Sequence, residues 1–294
     1  MDNRMRKRIF QFGVMGNICL FMIIVILLMS IFAPLIAPHD PLLVSLVNKF
    51  KPPSFQYWLG TDQLGRCILS RLIYGIRATV LTSLLAMLAT ILFGSIIGII
   101  SGYFGGKIDS LLMRICDIVL SFPSDVMIIA IIGIISPSLF NIIITIVAIK
   151  WAWYARIIRS AVLRYKHQNY IYFAKIHHAS FFYIMSKHLL PSIGGEILAL
   201  ATINIGGVIL MISALSFLGL GIQAPTPEWG TMLSEAKDYL INRPYLMLPA
   251  GLAITLTVII FNYLGDIMQE KINQKSSTRH LIAISDENQV EDKS

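Results

Sequence analysis

The feature that most constrains this chain is a series of long apolar runs without charge. Three of them, Ile9–Pro38, Ala78–Gly106 and Ile197–Pro227, contain no Asp, Glu, Lys or Arg. Each exceeds the roughly 20 residues that an α-helix needs to cross about 30 Å of hydrocarbon. Val126–Ile149 and Tyr245–Leu264 are also uncharged. Because these runs are continuously apolar rather than alternating, they predict membrane-spanning helices and not barrel strands.

The number of spans follows from the length of the runs. The stretch Val119–Ala161 is too long for one span, and Pro137 within it predicts a turn between two. With 56% hydrophobic and only 14% charged residues, the chain is too apolar for a soluble domain. The predicted fold class is an all-α polytopic membrane protein with six transmembrane helices. These lie near residues 13–36, 78–101, 113–135, 140–160, 194–217 and 245–266.

The distribution of positive charge predicts the orientation. The N-terminus carries four cations (Arg4, Arg6, Lys7 and Arg8) and the loop after the fourth span is rich in Lys and Arg, whereas the turn between the third and fourth spans has none. The positive-inside rule therefore places both termini in the cytoplasm. The first run is longer than a signal peptide's apolar region and lacks a clear A-x-A site, so it is expected to be an uncleaved anchor. The cations of the loop after the first span do not fit the rule; they are Lys49, Lys51, Arg66, Arg71 and Arg77.

This topology divides the chain into five parts. Residues 1–12 are a cytoplasmic N-terminus, 13–36 the first helix and 37–77 an exported loop. Residues 78–268 form a five-helix core that contains a cytoplasmic helix at 169–188, and 269–294 are a polar tail expected to be disordered. In the second exported loop, a short helix is expected from Trp229 to Leu240, with Glu235 and Lys237 exposed. The glycines at 94, 98 and 102 favour close helix packing, which a static or a moving interface would use equally.

Catalytic and cofactor motifs are absent from the sequence. There is no G-x-x-x-x-G-K-[ST] loop for ATP, no G-x-S-x-G and no H-E-x-x-H. The cysteines, Cys19, Cys67 and Cys116, are odd in number and indicate neither a disulfide framework nor a metal site; Cys67 alone is expected to be exposed outside. The acidic residues of the spans lie near their ends, which disfavours an ion-coupled secondary transporter. The chain is therefore expected not to be an enzyme and to hold no metal or cofactor of its own.

The segment Tyr170–Ser192 is unusual among these apolar runs. Between Asp125 and Glu196 there is no acidic residue, but there are seven Lys or Arg and four of the six histidines. An apolar helix face recurs there at i+3 and i+4 spacing, formed by Ala174, His178, Phe181, Met185 and Leu189. Such an amphipathic cytoplasmic helix can dock in a partner's groove or lie on anionic headgroups, and the spacing favours neither.

The same segment resembles the coupling loop of ABC importer permeases. That pattern is Glu-Ala-Ala, three residues, Gly, and then a Leu-Pro whose Pro falls thirteen residues after the Gly. Here Tyr172-Phe173-Ala174, His178 and Leu190-Pro191 occupy these places, so the spacing is kept while the Glu and the Gly are replaced. The stretch LGTDQLGRCILSRLIYGIRAT resembles the exported motif of the dipeptide, oligopeptide and nickel permeases, with Cys67 where Asp is usual. The similarity runs from about Phe32 to Asp266 and is greatest to the second permease, which has one helix before the core five.

The resemblance implies a subunit of a multi-part importer in the bacterial cytoplasmic membrane. Its expected partners are a second, dissimilar permease, two cytoplasmic ABC ATPases that bind ATP and Mg, a solute-binding protein and the lipid bilayer, but no nucleic acid. The cargo would be peptides, nickel or metal–chelator complexes. A secondary transporter or a non-transporting scaffold is the alternative. The implied ATPase-coupling residues are Tyr172, Phe173, Ala174, His178, Phe181, Met185, Leu190 and Pro191. The implied residues of the exported motif are Gly60, Thr61, Asp62, Gly65 and Arg66.

Overall fold

A computed structural model describes residues 13–291 of the chain, with side chains described as far as Ile272. The predicted N-terminal cation cluster lies outside these residues. The described part is built from helices and contains no strand, apart from one isolated bridge between Thr61 and Cys67. The helices α1 to α12 are Val14–Ile31, Ala33–Ile36, Ile68–Ile76, Thr82–Phe104, Gly106–Leu120, Ser124–Ile135, Leu139–Lys166, Asn169–Ile176, Phe181–Ile184, Leu190–Phe217, Trp229–Ala236 and Leu248–Glu291.

Shorter elements join these helices. The turns Arg77–Leu81 and Met185–Leu189 are π-helical and connect α3 to α4 and α9 to α10 without a break. Leu46–Asn48, Lys237–Tyr239 and Pro244–Leu246 are 3₁₀ turns in the loops.

Five helical segments are long and apolar enough to cross a membrane. They are Val14–Ile31, Ile68–Phe104, Leu139–Lys166, Phe181–Phe217 and Pro244–Ile272. The predicted third span, 113–135, corresponds to α5 and α6 together, which meet at an angle of 77°. The all-helical membrane fold is confirmed, but the third span is not the straight helix expected at 113–135. Pro123, the N-cap of α6, explains the bend because proline has no N–H with which to continue a helix.

Helices α4 and α7 pack closely through the glycines of α4. A Cβ atom on Gly98 would lie 2.5 Å from the carbonyl oxygen of Ala155, so only glycine permits this approach. Gly94 and Gly102 face Tyr154 and Val162 of α7 in the same way. The predicted glycine spacing is therefore used for close packing of α4 against α7.

Two sequence predictions differ from the structure. The helix expected at 169–188 is broken: α8 ends at Ile176, the chain turns through His178 at φ 53°, and α9 then runs through a π-helical turn into α10. Pro191 lies in the first turn of α10, a position where its missing N–H is tolerated. The second difference is that α12 continues to Glu291, so the backbone is helical over 269–291, where a disordered tail was expected.

Candidate functional site

The residues of the exported motif are held in a tightly folded loop. Gly60 and Gly65 have φ of 77° and 74°, in the left-handed region that favours glycine. A Cβ on Gly65 would also lie 1.9 Å from the carbonyl oxygen of Ser45. The hydroxyl of Thr61 accepts the Lys51 N–H at 2.8 Å and donates to the Asn48 carbonyl at 2.5 Å. These three residues therefore fix the shape of the loop.

Asp62 and Arg66 belong to a buried ion cluster. Asp62 accepts the backbone N–H groups of Leu64 and Arg66 at 2.9 Å each, Arg66 Nε at 2.7 Å and Arg71 Nη1 at 2.6 Å. Glu235, from α11, accepts Arg66 Nη2 and Arg71 Nη1 at 2.7 Å each. We call Asp62, Arg66, Arg71 and Glu235 the ion cluster. It joins two loops that are far apart in the sequence, and its two positive and two negative charges balance.

The ion cluster corrects two expectations. The Glu235 side chain is only 19% exposed, because the two arginines cover it, whereas the sequence suggested a solvent-facing residue. Cys67, also expected outside, is buried at the N-cap of α3 and makes no side-chain capping hydrogen bond. Arg66 and Arg71 are neutralised by carboxylates, so they weigh less against the positive-inside rule than their number suggests.

A second connection, which sequence reasoning missed, ties the same two loops together. Glu228 caps α11 by accepting the Thr231 N–H at 2.8 Å, and its other oxygen accepts the Thr79 hydroxyl at 2.8 Å. The indole N–H of Trp229 donates to the Leu72 carbonyl at 3.0 Å. Glu is not among the residues preferred at helix N-caps, and its partner Thr79 is about 150 residues away, so no local pattern in the sequence reveals this connection.

The predicted coupling residues lie at the opposite end of α4. Tyr172, Phe173 and His178 are exposed on and just after α8. Phe173 is 64% exposed, and Phe182 on α9 is 80% exposed. We use the name aromatic patch for these two side chains and the exposed Tyr172 and Ile176 of α8. Leu190 and Pro191, at the start of α10, are also exposed.

Other predicted coupling residues point into the protein. Met185 is buried and Ala174 is half-buried. Phe181 stacks on Phe104 with a centroid separation of 5.2 Å and meets the edge of Tyr103 at 4.8 Å. Tyr172, Phe173 and His178 therefore lie at the surface, whereas Phe181 and Met185 pack against the rest of the chain. The single apolar face expected over 169–188 is not formed, because the helix is broken.

Most of the positive charge near this end is paired. Arg159 binds Asp109 through two bonds of 2.5 Å, and Arg164 binds Glu196 at 2.5 Å. Lys150 and Asp125 are 3.4 Å apart, and Arg156 pairs with Asp117. These ion pairs fasten α7 to α5, α6 and α10. Two lysines of the patch region, Lys175 and Lys187, have no carboxylate partner among the described residues, and Lys175 lies over the Tyr103 ring at 5.3 Å.

The described residues contain no group of three or more His, Cys, Asp or Glu side chains that could hold a metal ion. His177 and His178, although adjacent in sequence, are both exposed at the turn after α8. The ion cluster contains two residues of the exported motif, and the aromatic patch contains two of the predicted coupling residues.

Comparison with known proteins gives consistent matches. Residues 94–278 match the family described as the binding-protein-dependent transport system inner membrane component. Residues 15–53 match the N-terminal transmembrane domain of oligopeptide transport permease C. The metal-staphylopine import system permease protein CntC of Staphylococcus aureus (strain NCTC 8325 / PS 47) is 40% identical over 262 residues, 89% of this chain and 91% of that protein.

Two further relatives cover similar lengths. The nickel transport system permease protein NikC of Escherichia coli (strain K12) is 35% identical over 83% of this chain and 88% of its own length. The dipeptide transport system permease protein DppC of Alkalihalophilus pseudofirmus is 38% identical over 85% of this chain and 82% of its own length.

Proposed function

The chain belongs to the family of inner-membrane components of binding-protein-dependent transport systems, and we propose that it imports small peptides or metal–chelator complexes as one of two dissimilar permeases. It is a multi-pass permease subunit of the bacterial cytoplasmic membrane, of the kind found in ABC importers. The relatives are named for nickel, metal-staphylopine and dipeptides. A cargo that a soluble binding protein delivers already chelated, or as a peptide, needs no metal-ligand cluster in the permease.

The partners in this proposal are two ATPase subunits, a second permease and a solute-binding protein. ATP and Mg bind to the ATPases, which drive transport. Both termini and the aromatic patch face the cytoplasm, while the ion cluster faces the exported side. This orientation agrees with the Lys and Arg of the loop between the fourth and fifth spans.

The aromatic patch is the observation that supports a role in coupling the permease to the ATPase subunits. Phe173 and Phe182 expose large apolar surfaces beside Lys175 and Lys187, on a segment that continues through Met185–Leu189 into the spanning helix α10. Exposed aromatics of this kind are typical anchors of protein interfaces. Because α9 and α10 are joined without a loop, a force applied at the patch is transmitted to α10.

The test is the ATPase activity of the complete assembly with its loaded binding protein. Phe173→Asp should lower the retention of the ATPase subunits and the stimulated activity by roughly tenfold or more, as expected for an interface anchor. The matched control is Phe55→Asp, the same change at a fully exposed phenylalanine in the loop at the other end. This control should retain the ATPase subunits.

The competing interpretation, in which the aromatic patch lies on the lipid surface, gives a different result. Phe173→Asp would then leave ATPase retention and stimulation unchanged and would instead weaken attachment of α8 to anionic lipid. That outcome would contradict the proposed coupling role.

A further inference from the structure

One arginine near the ion cluster has no internal partner. Arg66 and Arg71 are bound by two carboxylates, and Arg243 donates to the Tyr245 hydroxyl and lies 4.4 Å from the Phe50 ring centroid. Arg77 is exposed, and its side chain makes no hydrogen bond or ion pair with any residue in the range 13–272, over which side chains are described. At this end of the bundle, the guanidinium of Arg77 is therefore available to an external anion.

The backbone that carries Arg77 is firmly positioned. Arg77 begins the π-helical turn Arg77–Leu81, a rare geometry that often occurs at functional sites. Two residues on, Thr79 donates to Glu228, and two residues before, Gly75 packs closely against Trp229. The side chain is thus presented from a rigid part of the protein rather than from a mobile loop.

Arg77 directly precedes the charge-free apolar run Ala78–Gly106. The 23 residues of α4, at about 1.5 Å each, are long enough to cross the hydrocarbon region unaided. Arg77 precedes α4 by one turn, so it lies close to the membrane boundary. A charged group placed there avoids most of the cost of burial in lipid.

The surroundings of Arg77 have the form of a binding cavity. It lines a cavity of about 380 Å³ together with Tyr74, Thr82 and the apolar side chains of Leu85 and Leu139. Arg77 is the only charged residue that lines this cavity. A second cavity, of about 490 Å³ and lined by His39 and Asp40, shares Tyr74 and Pro227 with the first. The two cavities are therefore adjacent.

We propose that Arg77 binds a free carboxylate of the cargo as it enters the permease. A guanidinium binds a carboxylate through two parallel hydrogen bonds, and the adjacent apolar wall suits the rest of a small organic molecule. This inference rests on the proposed import function and narrows it: the cargo carries a carboxylate, as a peptide or a carboxylate-bearing chelate does. A bare hydrated metal cation would instead be repelled by Arg77.

The experiment compares pairs of probes that differ only in this group. The assembled importer, in proteoliposomes with its binding protein, is given labelled Ala-Ala or its C-terminal amide, and nickel bound by L-histidine or by L-histidinamide. The wild-type protein should prefer the carboxylate form of at least one pair by about tenfold, the range of a charge-assisted hydrogen bond. Arg77→Gln should abolish this preference, and Arg77→Lys should retain part of it.

A matched control removes a positive charge from the same end of the molecule. Lys51 is exposed and has no carboxylate partner among the described residues, so Lys51→Gln should leave the preference unchanged. The second permease should co-purify with all three variants, and Lys51→Gln should also keep the basal ATPase activity.

Several outcomes would overturn the inference while leaving the import function intact. Arg77→Gln could reduce transport of both members of a pair equally, could leave the preference unchanged, or could release the second permease, which would assign Arg77 to a partner's carboxylate. If the wild-type assembly transports none of the probes, and the loaded binding protein does not stimulate its ATPase, the import proposal itself is contradicted.

Discussion

The two ends of α4 differ in which side chains they bury and which they expose. At one end, the ion cluster pairs two arginines with two carboxylates, which come from segments about 170 residues apart, and buries them together. At the other end, the aromatic patch leaves Phe173 and Phe182 exposed, while the cations of α7 nearby are paired. The charges of the ion cluster are satisfied within the chain, whereas the aromatic patch presents apolar surface that a partner or a membrane would cover.

This difference indicates separate roles for the two predicted sets of residues. Asp62 and Arg66 already have all their strong partners inside the protein, so we infer that they hold the exported loops together and do not bind cargo. Tyr172 and Phe173 have few internal contacts, which suits a docking surface. Arg77 is the exception at the first end, because it lies near the ion cluster but takes no part in it.

The largest expected effect comes from removing one arginine of the ion cluster. Arg71→Leu leaves Asp62 and Glu235 with Arg66 alone, so that two carboxylates share one buried positive charge. Loss of one partner from a buried charge network typically costs about 3–5 kcal/mol of unfolding free energy. Thermal unfolding of the detergent-solubilised chain, followed by tryptophan fluorescence, would measure this loss.

Lys51→Leu is the control for Arg71→Leu, since it makes an equivalent change at an exposed and unpaired cation. Its effect on stability should stay within about 0.5 kcal/mol. If the two variants have equal stability, the ion cluster does not hold the loops together and the contrast between the two ends disappears.

Sequence reasoning located the helices better than the contacts between their ends. Apolar runs determine where a chain can cross a membrane, so five spans were found close to their observed positions, and Pro137 correctly marked the turn before α7. The bend at Pro123 was missed although a proline inside an expected helix is a recognised signal for a break. Glu235 was judged exposed because its partners, Arg66 and Arg71, are about 170 residues away, and no local pattern reveals such a pairing.

The helix expected at 169–188 shows that a local pattern can also fail to reveal a break within a short segment. The i+3 and i+4 spacing assumed an unbroken helix, but the break at His178 rotates the second half relative to the first. Phe181 thereby turns onto Phe104 while Phe182 faces outward. Family resemblance had placed a Gly at the position of His178, and that substitution concealed the turn.

A prediction of intermediate size concerns the adjacent aromatic residues Phe181 and Phe182 of α9, whose substitution should affect stability differently. Phe181→Ala removes ring contacts with Phe104 and Tyr103 and should lower stability by about 2 kcal/mol, since the side chain is only half-buried. Phe182→Ala, at 80% exposure, should change stability by less than about 0.5 kcal/mol but reduce retention of the ATPase subunits. Unfolding and co-purification, measured on both variants, test the assignment. A stability loss in Phe182→Ala equal to that of Phe181→Ala would refute it.

The smallest expected effect concerns the turn between α8 and α9. His178 adopts φ 53°, where a residue other than glycine is strained by about 1–2 kcal/mol. His178→Gly relieves this strain but gives the unfolded chain more freedom, so the net gain in stability should be only about 0.5 kcal/mol. His177→Gly is the matched control, because His177 is equally exposed but has an ordinary φ of −80° and should lose stability. Opposite signs in the two variants would show that the turn depends on backbone conformation and not on the imidazole.

Coupling through the aromatic patch requires only that the turn keep its shape, so ATPase stimulation should survive His178→Gly. Loss of stimulation would mean that the imidazole itself contacts the partner.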